Sequence, residues 1–242
     1  MNFKNKTAIV TGATRGIGQK IAEDLYDLGA TLILTGADRD RIKRLRGNKR
    51  RKYYHLDFLE DESVSEFIET LEEYEKIDIC INNAGINRIN YIYDIMEEDW
   101  DRIMKVNLSG PFRLIKEAAR IMKKKRYGRI VNIASIYGTI TREKRAAYTA
   151  SKSGLIGLTK TAALDLAPYN ILVNSVSPGF ILTDLTKRIL SSKEREALRA
   201  AVPLKRLGRP RDISPVVLFL ASDLNTYITG QNIIADGGYV NT

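Results

Sequence analysis

Short apolar runs alternate along the chain with longer stretches in which apolar residues recur at helical spacing. The runs predict β-strands at Thr7–Thr11, Thr31–Thr35, Tyr53–Leu56, Ile77–Ile81, Ile130–Ala134, Ile171–Val176 and Asn232–Ala235. The amphipathic stretches predict helices near Gly16–Leu28, Asp61–Tyr74, Glu97–Lys124, Ala147–Ala167 and Asp212–Ser222. Strands separated by helices of this length imply βαβ units and a parallel sheet. Right-handed crossovers then put helices on both faces. The expected fold class is α/β, a single doubly wound parallel sheet, with one domain over residues 1–242. The stretch Thr183–Arg211 interrupts the alternation with a Ser/Lys/Glu/Arg-rich helix, where a substrate lid is expected.

Composition narrows the class. The chain has 242 residues, 44% of them hydrophobic, enough for a substantial core. Its one cysteine, Cys80, lies in an apolar run and reads as a buried, inert thiol. The opening MNFKNKTAIV lacks the apolar core of a signal peptide, and no apolar run reaches the roughly 20 residues of a membrane span. A cytoplasmic protein with no membrane partner is expected.

Net charge is +10, with basic runs at Arg39–Lys52 and Lys123–Arg129. These read as a solvated basic surface. Zinc-finger spacing and interleaved stacking aromatics are both missing, so no nucleic-acid partner is expected. Steering of an anionic cofactor or substrate is a further reading.

The candidate chemistry gathers at the strand ends. Tyr148 and Lys152 sit four apart in a predicted helix and share a face. A phenol titrates near pH 10 on its own. A neighbouring ammonium is expected to lower that value and make Tyr148 a usable general acid or base. Ser135 ends a strand 13 residues earlier, which places its hydroxyl at the carboxyl edge of the sheet. A serine nucleophile is disfavoured, because Ser135 has no GxSxG elbow and the one histidine, His55, lies in a strand and reads as structural. Asn107 falls inside the long helix, where its amide would bend the helix or hold a water near Lys152; a plain polar helix residue is the other reading.

Thr11-Gly12-Ala13-Thr14-Arg15-Gly16-Ile17-Gly18 joins the first strand to the first helix. Glycines there allow a tight turn and close approach of a pyrophosphate to the helix N-terminus. The second strand ends in Thr35-Gly36-Ala37, without an acid that would bind the 2′-hydroxyl of NAD. Arg15, with Arg39 or Arg41, could pair with a 2′-phosphate, so NADP is expected over NAD. The alternative is that Asp38 reaches back to the ribose. Asp57 either accepts from an adenine amine or caps the helix beginning near Asp61. Asn82-Asn83-Ala84-Gly85 is a polar, small-residue turn after an apolar strand, open to close approach by a cofactor or simply an Asx turn.

The ordered motifs TGATRGIG, NNAG, VNLSG, IVNIAS, YTASK and Ser177-Pro178-Gly179 resemble those of the short-chain dehydrogenase/reductase family from Lys6 to Tyr239. Within it the chain looks most like 3-oxoacyl-[acyl-carrier-protein] reductases, on NNAGINR, VSPGFILTDLT, PLKRLGRPRDI, FLASDLNTYITGQ and DGGY. The resemblance implies a Rossmann-type domain that reduces a carbonyl with NADP. Tyr148 would donate the proton, Ser135 would hold the carbonyl oxygen, Lys152 would lower the Tyr148 pKa and bind the nicotinamide ribose, and Asn107 would hold a relay water. Gly12, Thr14, Arg15, Gly16, Ile17, Gly18, Asp57, Asn83, Ala84, Gly85, Pro178, Gly179, Ile181 and Thr183 would line the cofactor. The resemblance also implies a homotetramer and an acidic carrier-protein partner docked on two basic residues. Arg126 matches one of these positions, but Tyr169 stands at the other. The loop Thr141–Arg145 is more highly charged than the family pattern, and this leaves oxidoreduction of a sugar, sugar acid or polyol as the rival reading.

Overall fold

Seven strands pair into one sheet in the computed structural model, which describes residues 1–183, 186 and 191–242. They are β1 (Thr7–Val10), β2 (Thr31–Gly36), β3 (Arg51–His55), β4 (Ile79–Asn82), β5 (Gly128–Ile133), β6 (Ile171–Pro178) and β7 (Asn232–Ala235). Their order is β3-β2-β1-β4-β5-β6-β7, and every neighbouring pair is parallel. The chain starts in the middle of the sheet, winds to one edge, then returns to β4 beside β1. Ligands bind at such a reversal, outside the carboxyl ends of the strands.

The helices are α1 (Gly16–Asp27), α2 (Arg39–Arg44), α3 (Asp61–Leu71), α4 (Glu97–Met104), α5 (Gly110–Lys125), α6 (Ala146–Leu166), α7 (Ser192–Ala201) and α8 (Pro210–Ala221). Side chains alternate across each strand. Ala8 and Val10 therefore face α1 and α8 through Ile21, Leu25, Ile213 and Val217. Ile9 faces the opposite layer, where Phe67 of α3, Leu114 of α5 and Ala163 of α6 pack. Helices cover both faces, so the central strands read as continuous apolar runs. Fully burying one such side chain contributes roughly 1.5–3 kcal/mol.

Two elements differ from the sequence pattern. The expected helix over 97–124 is broken by a π-helical turn at Lys105–Ser109. Pro111 follows directly in α5 and has no N–H to donate, so the wider turn ahead of it absorbs the lost bond. Helix α2 escapes the pattern because it buries no residue. Asp38 caps it instead, its carboxylate accepting from the Arg41 N–H at 2.8 Å.

Of the lid expected near 183–211, residues 184, 185 and 187–190 lie outside the described residues. The part that follows contains α7, which starts in a capping box between Ser191 and Glu194. Among the described residues, no helix is long and apolar enough to cross a membrane.

Candidate active site

The turn after β1 and the turn after β4 are tied together. Thr11 Oγ1 accepts from the backbone N–H groups of Asn83 and Ala84 at 2.9 and 3.0 Å. Asn83 Nδ2 donates to the carbonyls of Thr11 and Gly12 at 2.9 and 3.2 Å. Gly12 adopts a left-handed φ of 61° in this turn. A Cβ on Gly18 would stand 2.5 Å from the Gly12 carbonyl oxygen and would also strike Asn83 Nδ2. The loop is thus a backbone surface held flat by the asparagine. Arg15 precedes α1 without capping it, so its side chain leaves the first-turn N–H groups open to an anion. Thr14 presents its carbonyl to Arg41 Nη2 at 2.8 Å, and Ile17 packs partly against the core. Across the loop, Thr183 Cγ2 lies 3.5 Å from where a Gly16 Cβ would be. Pro178 ends β6, Gly179 donates to the Ala235 carbonyl, and Ile181 bridges to Gly208.

Asp57 does not cap α3, since Glu60 stands at that position. Its carboxylate instead accepts from the Leu59 N–H at 2.9 Å in an Asx turn, leaving the edge of the site polar. His55 is structural: its ring bridges the Ala37 carbonyl and the Ser63 hydroxyl, both at 3.1 Å. Cys80 is buried, and burial pushes its thiol up to about 12.

The second cluster lies at the ends of β4 and β5. The Asn107 amide is fully buried inside the π-helical turn. It accepts from the Ile86 N–H at 2.8 Å and donates to the Ile86 carbonyl at 2.9 Å and to Ser151 Oγ at 3.0 Å. A Cβ on Gly85 would meet Asn107 Oδ1 at 3.3 Å and Lys152 Nζ at 3.5 Å, so the glycine lets these two side chains face each other. Lys152 is buried, and Nζ donates to the Ile133 carbonyl at 2.8 Å. Burial pushes its ammonium down to about 8. Ser135 Oγ accepts from the Tyr137 N–H at 3.1 Å, which fixes the hydroxyl at the end of β5.

The expected effect of Lys152 on Tyr148 is corrected by this geometry. Burial pushes the Tyr148 phenol up, and it is Ser135 and Arg145 that oppose the rise. The Lys152 ammonium points at the Ile133 carbonyl and lies 5.8 Å from the Tyr148 ring centroid. Low dielectric disfavours both charged forms here. The result is a phenol that keeps its proton at neutral pH, the state a proton donor needs.

Two further side chains neighbour Tyr148, one of them from the charged loop Thr141–Arg145. Tyr137 packs edge-on against it with centroids 6.4 Å apart, and the Arg145 guanidinium lies 5.6 Å from the Tyr137 ring. Arg145 sits three residues before Tyr148 in a charged loop, and its sequence context gave no sign that it turns inward.

A family model described as enoyl-(acyl carrier protein) reductase matches residues 12–240. The chain belongs to the short-chain dehydrogenase/reductase family. It is an oxidoreductase acting on a carbonyl/hydroxyl pair. Among its relatives, the 3-oxoacyl-[acyl-carrier-protein] reductase FabG of Aquifex aeolicus (strain VF5) is 41% identical, with 98% of each chain covered. The enzyme of the same description from Escherichia coli (strain K12) is 42% identical, again over 98% of each. The crystal structure of a short-chain type dehydrogenase/reductase from Mycobacterium marinum superposes with a TM-score of 0.89 at 33% identity, covering 100% of this chain and 98% of that one. A structure described as ElxO with NADP bound gives 0.91 at 29%, covering 98% and 99%. The family binds a nicotinamide cofactor, and the residues present fit one. The Gly12–Gly18 cradle would be filled by any Cβ at Gly18, and the enzyme's buried Lys152 faces the gap left by Gly85.

Proposed function

We propose that the protein reduces 3-oxoacyl thioesters on acyl carrier protein to 3-hydroxyacyl thioesters with NADPH, as a cytoplasmic enzyme. The observation that carries this reading is identity of about two residues in five, over 98% of the chain, to reductases of that description. The cofactor supplies the hydride when bound. Tyr148 holds the proton destined for the carbonyl oxygen. Ser135, fixed by the Tyr137 N–H, stabilises charge growing on that oxygen. Lys152 holds the nicotinamide ribose and returns a proton toward Tyr148. Asn107, clamped by Ile86 and donating to Ser151 beside Lys152, would hold the relay water next to that lysine. A panel of acetoacetyl thioesters and keto-sugars, followed by NADPH absorbance, tests it: turnover of thioesters supports the reading, and turnover confined to keto-sugars moves the assignment to a sugar or polyol oxidoreductase.

NADP over NAD rests on the second strand's end. Gly36 offers no carboxylate, and that of Asp38 is engaged in capping α2. Arg41 lies over the loop through its bond to Thr14. Gly36→Asp is expected to shift preference toward NADH, read as kcat/KM for each cofactor. A Cβ there would come within 2.7 Å of Thr14 Cγ2, so that methyl must turn aside and some activity is lost with both cofactors. A wild type that already prefers NADH contradicts the reading.

Carrier docking would use the basic face at the end of α5. Arg126 is tied to the Pro168 carbonyl at 2.9 Å, and Lys123 stands over the Tyr169 ring at 4.3 Å. Lys123 thus brings a cation to the position where Tyr169 lacks one. Rim charges mainly set association rate and salt dependence. Arg126→Glu is expected to weaken activity on carrier-bound substrate more than on a small β-ketoester. Equal loss on both would point to a fold defect.

A homotetramer with two-fold interfaces completes the reading. Trp100 of α4, Phe112 of α5 and Leu164 of α6 are exposed and offer apolar contact area. Light scattering that finds a monomer at micromolar concentration contradicts it.

A further inference from the structure

Arg145 is a largely buried cation. It is 9% exposed, and its Nε has no hydrogen-bond partner. Among the described residues, no carboxylate pairs with it. Taking a charge out of water without a partner is costly, and chains seldom keep such a group without a use for it. Its neighbours are two phenols, those of Tyr137 and Tyr148, and a second guanidinium, that of Arg142. The Tyr137 hydroxyl is also buried, with the Arg142 guanidinium beside it. Arg145 thus lies over Tyr137, and Tyr137 packs edge-on against Tyr148, the phenol proposed to face the reacting carbonyl.

The missing partner has a definite chemistry. Arg145 and the Tyr137 hydroxyl together offer N–H and O–H donors and a positive charge, a set that suits a carboxylate. It is not a place for the cofactor's phosphates, which belong on the glycine loop at the head of α1. Arg145 instead precedes α6, three residues from Tyr148. Nor does a carrier-borne thioester put an anion here, because a thioester carbonyl is neutral.

We infer that Arg145, with Tyr137, recognises a substrate carboxylate lying a few atoms from the reacting carbonyl, so that the enzyme also takes short oxo acids and their hydroxy-acid products. This rests on the carbonyl chemistry proposed for Tyr148 and goes beyond the thioester reading. In the step, the carbonyl carbon takes a hydride from the reduced nicotinamide and the carbonyl oxygen takes the Tyr148 proton. The oxo acid becomes the hydroxy acid, and the cofactor leaves oxidised. The carboxylate is unchanged and serves only to orient the molecule.

The test compares acetoacetate with ethyl acetoacetate, which share a carbonyl and differ in the negative charge. In wild type and Arg145→Gln, kcat/KM is measured for both, and binding of 3-hydroxybutyrate is measured by calorimetry. Losing a charge-assisted contact is expected to lower the acid-to-ester ratio of kcat/KM by about tenfold or more, through KM, and to weaken 3-hydroxybutyrate binding alike. Arg145→Lys, which keeps the charge, is expected to retain part of the ratio. A wild type that reduces the ester but neither reduces nor binds the acids overturns the inference. So does an equal loss on acid and ester in Arg145→Gln, which would make Arg145 a tuning group for Tyr148 alone. Arg145-dependent binding of 3-hydroxybutyrate with no reduction of ester or thioester would instead support the subsite and refute the reductase reading.

Discussion

Tyr148→Phe is expected to lower kcat by about 10²–10⁴-fold, the usual worth of a positioned general acid. The substitution removes one hydroxyl and keeps the ring, so the edge contact with Tyr137 at 6.4 Å survives. The glycine loop and Lys152 are untouched, and NADPH affinity should change little. Burial holds the phenol in its protonated form, so wild type carries the proton at neutral pH and the variant has none to give. Steady-state kinetics with a β-ketoester, paired with a fluorescence titration of NADPH, separates the two quantities. A Phe variant with near-wild-type kcat would remove Tyr148 from the role of acid.

Gly18→Ala is expected to be the most damaging change outside the reacting cluster. The added methyl would sit 2.5 Å from the Gly12 carbonyl oxygen, which is backbone and has nowhere to go. It would also displace the Asn83 amide, whose bonds to Thr11 and Gly12 hold the loop after β1 against the turn after β4. Overpacking of this kind costs typically 1–3 kcal/mol, and here the strain falls on the surface expected to carry the cofactor's phosphates. NADPH should therefore bind at least about tenfold more weakly, with a lowered Tm. An unchanged dissociation constant would show that the loop does not carry the cofactor.

Much of the fold is legible because the central strands carry apolar residues on both faces. Ile9 and Val10 face opposite layers and both are fully buried, which happens in a sheet covered on both faces. What the pattern misses has local causes. Helix α2 buries nothing, so no periodic stripe marks it, and only the Asp38 cap explains its start. The break at Lys105–Ser109 is driven by Pro111, whose effect on the preceding turn is not carried by hydrophobic spacing.

The site divides in the same way. Residues at strand ends, such as Ser135 and Asn83, are readable because the sheet fixes where their side chains emerge. The Tyr148/Lys152 spacing correctly puts the pair on one helix face, yet not their electrostatics. Those depend on burial and on the Ile133 carbonyl, contributed by another strand. Arg145 reads as one more loop charge until the fold turns it inward over Tyr137. A buried charge is a property of packing, and neighbouring residues in sequence give no sign of it.

The most direct test of the account is transfer of label from NADPH deuterated at the reactive carbon to acetoacetyl carrier protein, read by mass spectrometry of the product. The account predicts a 3-hydroxybutyryl thioester that carries the deuterium and forms in step with NADPH loss. Enzyme that binds NADPH yet forms no labelled hydroxyacyl product would contradict it.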